Sequence, residues 1–454
     1  MAFRAPQAGA AQGADDPTAA SLRSVVKPLK KTPADYSSLL KDIGSARFTL
    51  IGEATHGTHE FYRERAEITK RLILENGYTA VAAEADWPDA YRLNRYVRGL
   101  SDDRDSREAL SGFTRFPTWL WRNTVVAEFA EWLRALNMQR PPARRVGFYG
   151  MDLYSLFKSI QAVLSYLDRV DPDAATRARF RYGCFDHAAA DSQAYGYAAS
   201  FGMRKSCEDE VVSQLVDMMR HAGGHRKHGD DNADEHFFAE QNARLVKNAE
   251  ACYRTMFGGR VSSWNLRDQH MVETIVHLDA HLSRQGHLPK IVVWAHNSHL
   301  GDASATQMGD AGECNVGQLM RERYGAETYL LGFSTHHGTV TAASDWDGPA
   351  ETKRVRPGLE GSYERLFRGA GVERFLLLLK RNERLQRLLA GPRLQRAIGV
   401  LYLPESERTS HYFFARMARQ FDAVIHLDET SALEPLERAQ AASSEVPETY
   451  PSGV

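Results

Sequence analysis

Short, continuously apolar runs recur along the chain, separated by longer stretches whose apolar positions repeat at helical spacing. The runs are Arg47–Ile51, Thr79–Glu84, Arg145–Gly150, Lys290–Ala295, Thr328–Phe333, Arg374–Leu379, Ala397–Leu403 and Asp422–Leu427. Most lack in-out alternation, as strands covered on both faces do. Helical patterns fall between them at His59–Asn76, Asp89–Val97, Thr124–Gln139, Leu266–Ser283 and His411–Gln420. Strand alternating with helix predicts an α/β fold with a mostly parallel central sheet flanked by helices. The alternation stops between Ser155 and Ser263, where helix-like runs at Cys207–His221 and Asp234–Thr255 flank a polar loop. That stretch reads as a helical insertion and candidate lid, with His221, His225, His228 and His236 solvated on its loop. The domain expectation is a disordered N-terminal tail at 1–34 and the first part of the core at 35–154. The insertion follows at 155–263, then the second part of the core at 264–436 and a flexible tail at 437–454.

On the first long helix, Phe61, Tyr62, Ala66, Ile68, Leu72 and Ile73 share one arc. Arg63, Glu64, Glu67, Lys70, Arg71 and Glu75 share the other, with Leu74 as the exception. Arg65 falls in the middle of the apolar arc. A buried guanidinium without a carboxylate costs several kcal/mol. Arg65 is therefore expected to point to the sheet end and pair with Glu53 or Glu84, as part of a site or as an ion pair serving only the core.

Ligands in parallel α/β sheets gather at the carboxyl ends of the strands. Here those ends carry Gly52-Glu53-Ala54-Thr55-His56-Gly57, then Glu84, then Met151-Asp152, then His296-Asn297-Ser298-His299. Four strands ending in Glu, His or Asp make a candidate site. His59 opens the helix after the first motif, and Asn265, ahead of Arg267 and Asp268, reads as a helix N-cap. There is no G-x-S-x-G elbow, P-loop, dinucleotide fingerprint or H-E-x-x-H. Histidine, carboxylates and one arginine suit general-base activation of water. The same ligand types suit Zn²⁺, but Arg65 would repel a cation, so no metal or other cofactor is expected.

Charge narrows the partners. With 57 basic and 58 acidic residues the chain has no electrostatic footprint for nucleic acid or an anionic membrane, which leaves a small molecule. Nothing in it specifies an oligomeric state. Cys184, Cys207, Cys252 and Cys314 lie far apart without CxxC spacing and read as free thiols of a reducing compartment. No apolar run approaches the ~20 residues of a membrane helix, and the first residues lack a signal-peptide core. The expected location is cytoplasmic.

The motif Gly52-Glu53-Ala54-Thr55-His56-Gly57, with Phe61 and Arg65 behind it, resembles the erythromycin esterase family. So do Glu84 after its strand, Gly150-Met151-Asp152, Asn265-x-Arg267-Asp268-x-x-Met271 and Ala295-His296-Asn297-x-His299. The resemblance runs in order from about residue 35 to 435. It implies an α/β core with added helices and hydrolysis of a macrocyclic lactone ester without a covalent enzyme intermediate. It also implies His56 as the base that deprotonates water, with Glu53, Arg65, Glu84, His296 and His299 completing the catalytic set. His59, Asp152, Asn297 and Arg267 are assigned to substrate binding. Members of the family differ in whether a divalent metal matters, which keeps a metal-dependent hydrolase as an alternative. The C-terminal runs Pro404–Phe413 and Gln420–Asp428 look like a broad bacterial subgroup and not like the resistance enzymes that named the family. The expected substrate is therefore an ester or lactone, more general than a macrolide. Some relatives carry labels from exopolysaccharide synthesis, which makes a non-catalytic carbohydrate- or metabolite-binding protein a third reading.

Overall fold

The computed structural model describes residues 17–188, 191–225, 230–257, 259–284, 286 and 288–437. Its strands are β1 (Lys27–Pro28), β2 (Phe48–Ile51), β3 (Ala80–Asp86), β4 (Gly147–Asp152), β5 (Ile291–Trp294) and β6 (Thr328–Ala342). They continue with β7 (Glu351–Val355), β8 (Arg374–Leu378), β9 (Arg393–Arg396), β10 (Tyr412–Ala415) and β11 (Ala423–Thr430). The main sheet has nine strands, mostly parallel and flanked by helices, as the apolar runs predict. The described residues divide into two compact units. The first holds those up to Val81, Val97–Gly147 and those from Pro289 onward; the second holds Ala82–Tyr96 and Phe148–Leu288.

In the first unit the strand order is β1-β8-β11-β6-β2-β5, with β7 against β6. β2 runs parallel to both β5 and β6, and β11 runs parallel to β6. β8, β1 and β7 pair antiparallel. Every residue of β2 and β5 is buried, which is why both read as unbroken apolar runs. Within the stretch expected as a tail, helix Pro17–Arg23 buries Leu22, and β1 pairs with β8. Residues 1–16 and 438–454 lie outside the described ones.

Three local expectations change. Ala397–Leu403 is not a strand; it makes isolated bridges, Ile398 with Thr55 and Leu401 with Ala343. His411–Gln420 is not one helix. Its aromatic half, Tyr412–Ala415, is strand β10, antiparallel to β9, and only Met417–Gln420 is helical, in line with the preference of aromatic residues for strands. β6 continues nine residues past Phe333, to Ala342, to receive β7.

The fully buried Arg396 ties this region together. Its Nη1 donates to Glu407 Oε1 (3.0 Å) and the Arg356 carbonyl (2.6 Å). Its Nη2 donates to the carbonyls of Thr335 (2.8 Å) and His336 (2.7 Å).

Among the described residues the second unit is mainly helical outside its strand residues. Its helices include Leu156–Val170, Pro172–Tyr182, Ser192–Ser200, Glu208–His225, Asp230–Met256 and Arg260–Ser283. The last starts before Asn265, which lies inside the helix and is not its N-cap. The polar stretch is helix up to His225 and again from Asp230, and His228 lies outside the described residues. His236 is not solvated. It sits buried on helix Asp230–Met256 with its Nδ1 3.1 Å from Tyr166 Oη, because the polar run ends on an amphipathic face. Cys184 and Cys207 are joined in a disulfide, against the free-thiol expectation, while Cys252 and Cys314 form none among the described residues. Their separation of 23 residues in sequence closes to 5.8 Å between Cα atoms. No helix among the described residues is long and apolar enough to cross a membrane.

Burial pushes His270, His336 and His411 each down to about 4 from an ordinary 6.5. Below about pH 6.5 the unfolded chain takes up protons that the folded chain refuses until about pH 4. Stability should therefore fall as pH drops through that window and level off with respect to these groups beneath it. For the fully buried His270 alone the slope is about 1.4 kcal/mol per pH unit. Urea midpoints measured from pH 7 to pH 4 check this, and a midpoint independent of pH would contradict it.

Candidate active site

The loop after β2 is fixed by backbone bonds before any side chain acts. Gly52 N–H donates to the Leu331 carbonyl (2.8 Å), and His56 N–H to that of Ile398 (3.1 Å). The Gly57 carbonyl accepts from Thr341 and Leu433 N–H groups, each at 2.9 Å. A Cβ at Gly52 would run into Asn297 Oδ1, and one at Gly57 into the Thr341 carbonyl oxygen. Both glycines of the motif are there for close approach.

Held this way, Glu53 is buried and faces two partners. Its Oε1 lies 2.9 Å from His56 Nδ1, and its Oε2 lies 3.3 Å from Arg65 Nη2. Arg65 has no exposed surface. Its guanidinium lies over the rings of Tyr62 (4.4 Å) and Trp294 (4.9 Å). Arg65 Nε, Nη1 and Nη2 meet no hydrogen-bond acceptor among the described residues, so its tie to Glu53 is an ion pair alone. Of the two partners foreseen for Arg65, the structure pairs it with Glu53. One polar-arc residue also turns inward: Glu64 is buried against Arg374 (2.7 Å), while Leu74 is exposed as expected.

The second motif enters beside the first. Asn297 N–H donates to the Glu53 carbonyl (2.7 Å). The Asn297 side chain is taken up by the Phe333 backbone, Nδ2 donating to its carbonyl at 2.8 Å and Oδ1 accepting from its N–H at 3.4 Å. His296 caps helix Asn297–Leu300, and its ring centroid lies 4.8 Å from that of His56. Its Nδ1 lies 3.2 Å from Ser298 N and 2.7 Å from Ser298 Oγ. His299 is buried on the same short helix. His59 opens helix His59–Glu75, partly exposed, with its N–H on the Ser431 carbonyl (2.9 Å).

Glu84, Asp152 and Arg267 meet in the second unit. Arg267 Nη2 donates to Glu84 Oε1 (2.6 Å) and Asp152 Oδ2 (2.9 Å), and Nε to Asp152 Oδ1 (2.9 Å). The Tyr154 ring lies 4.9 Å from the guanidinium. Burial would lower the proton affinity of Arg267, yet the Asp152 and Glu84 charges hold it well above the ordinary value.

A family model described as Erythromycin esterase matches residues 73–430. The chain belongs to the erythromycin esterase family. The matched span contains Glu84, Asp152, Arg267, His296 and His299; Glu53, His56 and Arg65 precede it. Among curated proteins it is similar to erythromycin esterase type II of Escherichia coli, 22% identical over 420 residues, covering 88% of this chain and 93% of that one. Among solved structures it resembles a succinoglycan biosynthesis protein, with a TM-score of 0.72 at 22% identity, covering 94% of this chain and all of that one. It also resembles an EreC erythromycin esterase mutant in its open conformation, with a TM-score of 0.66 at 16% identity, covering 91% and 99%. These likenesses fix the α/β fold.

Glu53 is committed to His56 and Arg65, and among the described residues no three His, Cys, Asp or Glu side chains converge as metal ligands. Ser298, Tyr62 and Trp294 are the contributors that residue patterns missed. A serine between two histidines carries no signature, and aromatic residues on a buried arc look like ordinary core.

Two substitutions test this geometry. Gly52→Ala should displace Asn297 from Phe333 and lower stability by about 1–3 kcal/mol, read by denaturant unfolding. Arg267→Ala leaves two buried carboxylates without their cation and should cost about 3–5 kcal/mol; a loss under 1 kcal/mol would mean that water already screens the cluster.

Proposed function

We propose that this chain hydrolyses an ester or lactone by general-base activation of water at His56. The observation that carries the reading is the Glu53–His56 bond. An ionised carboxylate can only accept, so His56 Nδ1 is the donor and Nε2 keeps a lone pair. A water proton passes to Nε2 while the water oxygen adds to the carbonyl carbon. The oxygen that gains charge is met by N–H donors, for which the unsatisfied Arg65 Nε and Nη1 and the neighbouring His296 are candidates. The tetrahedral adduct then expels the alkoxide, which recovers the proton from the His56 imidazolium. An ester yields acid and alcohol, and a lactone yields one hydroxy acid. Glu53 holds the ring and offsets its positive charge through the step. No acyl-enzyme forms in this scheme.

Glu84 and His299 stay in the proposed catalytic set, and His59, Asp152, Asn297 and Arg267 in the proposed substrate-binding set, on family resemblance. The family assignment and the relative named as an erythromycin esterase support hydrolysis, and a macrolide belongs on any substrate panel. The test is turnover of aryl esters, simple lactones and macrolides by the wild type and His56→Ala. The variant should keep its far-UV circular dichroism and lose about 10²–10⁴-fold in rate. A variant retaining most of the wild-type rate would remove His56 as the base.

A further inference from the structure

The His56 and His296 rings are neighbours, 4.8 Å between centroids and tilted by 50°. Each uses Nδ1 to bond a group close by in its own segment, but the two groups are opposite in kind. At His56 the group is the Glu53 carboxylate, an acceptor, so the ring hydrogen is on Nδ1. At His296 it is the backbone N–H of Ser298, 3.2 Å away, which can only donate. His296 Nδ1 must accept, and the neutral ring carries its hydrogen on Nε2. Ser298 Oγ lies 2.7 Å from the same Nδ1, so its hydroxyl hydrogen also turns toward that nitrogen.

We infer that Ser298 is a positioning residue that holds His296 as an Nε2–H donor, so that the two adjacent imidazoles are locked in opposite tautomers. One is a proton acceptor and the other a hydrogen-bond donor. The lock also resists a second positive charge. Adding a proton to His296 Nδ1 would set N–H against N–H at Ser298 and break both contacts. His296 therefore stays neutral when the water proton arrives on His56.

The backbone that presents Ser298 is itself pinned. The Ser298 carbonyl accepts from Asn315 Nδ2 (2.6 Å), and the preceding N–H, that of Asn297, is on the Glu53 carbonyl. With the backbone held, the Ser298 N–H sets which nitrogen accepts, and the hydroxyl strengthens that choice as a second, shorter contact to the same nitrogen.

What the donor acts on, the carbonyl oxygen of the substrate, rests on the hydrolase reading; the tautomer does not. The test is ¹⁵N NMR of the full chain with labelled histidine, resonances assigned by their loss in His296→Gln and His56→Gln. At neutral pH His296 should show a protonated Nε2 and a bare Nδ1, and His56 the reverse. Ser298→Ala should mix the His296 tautomers and lower kcat on an ester about five- to tenfold with KM little changed. Ser298→Thr, which keeps the hydroxyl, should recover both spectrum and rate. An Nδ1–H tautomer at His296 would overturn the inference, as would a Ser298→Ala protein identical to wild type in spectrum and kcat. A wild type that cleaves no ester would count against the hydrolase reading alone, leaving the tautomer to be decided by the spectra.

Discussion

The first unit depends on one carboxylate shared between two groups. Glu53 gives one oxygen to His56 and the other to Arg65, out of reach of bulk water. Removing that charge would strand a guanidinium with no exposed surface and free an imidazole to rotate. Burying a charge is tolerated only when it is paired and hydrogen-bonded. Arg65 meets the first half of that condition with the Glu53 carboxylate and two aromatic faces, while none of its guanidinium nitrogens finds a hydrogen-bond partner among the described residues. Much of the local architecture, from the glycine contacts to the Asn297 clip, serves to deliver Glu53 to that point.

The two clusters solve opposite charge problems with the same residue types. With Glu53 ionised and both imidazoles neutral, the Arg65 cluster carries no net charge. Arg267 faces two carboxylates, and their charges are why its proton is held so tightly. In each case the arginine stands on a helix and the carboxylates stand at or just past a strand end. Strands fix acids to within a fraction of an ångström; a long side chain from a helix then reaches across to them.

How much of this could be read from residues alone follows from physics. β2 and β5 were legible because both faces are buried, which removes polar residues from the run. Arg65 was legible because it violated its helix's pattern. The contributions of β7, β9 and β10 were not: their pairing depends on partners far away in the chain, and Glu351–Val355 is mostly exposed and polar. His236 and the Cys184–Cys207 pair were misread for a related reason. Their partners come together only when separate helices pack, and spacing along the chain does not encode that packing. Ser298 is the extreme case, since its meaning depends on the tautomer of a side chain two positions away.

The sulfur link in the second unit has a practical side. Helix Ser192–Ser200 lies between the two cysteines, so the covalent bond encloses it, and a loop of this size is worth about 3 kcal/mol in restrained unfolded-chain entropy. Opening the bond needs two electrons and two protons from a reductant, which frees that segment from its cross-link and leaves the rest of the chain chemically unchanged. Protein handled under thiol and protein purified in air are thus two distinct compounds, and their turnover numbers and melting curves should be compared only after a thiol titration has shown which one is in the tube.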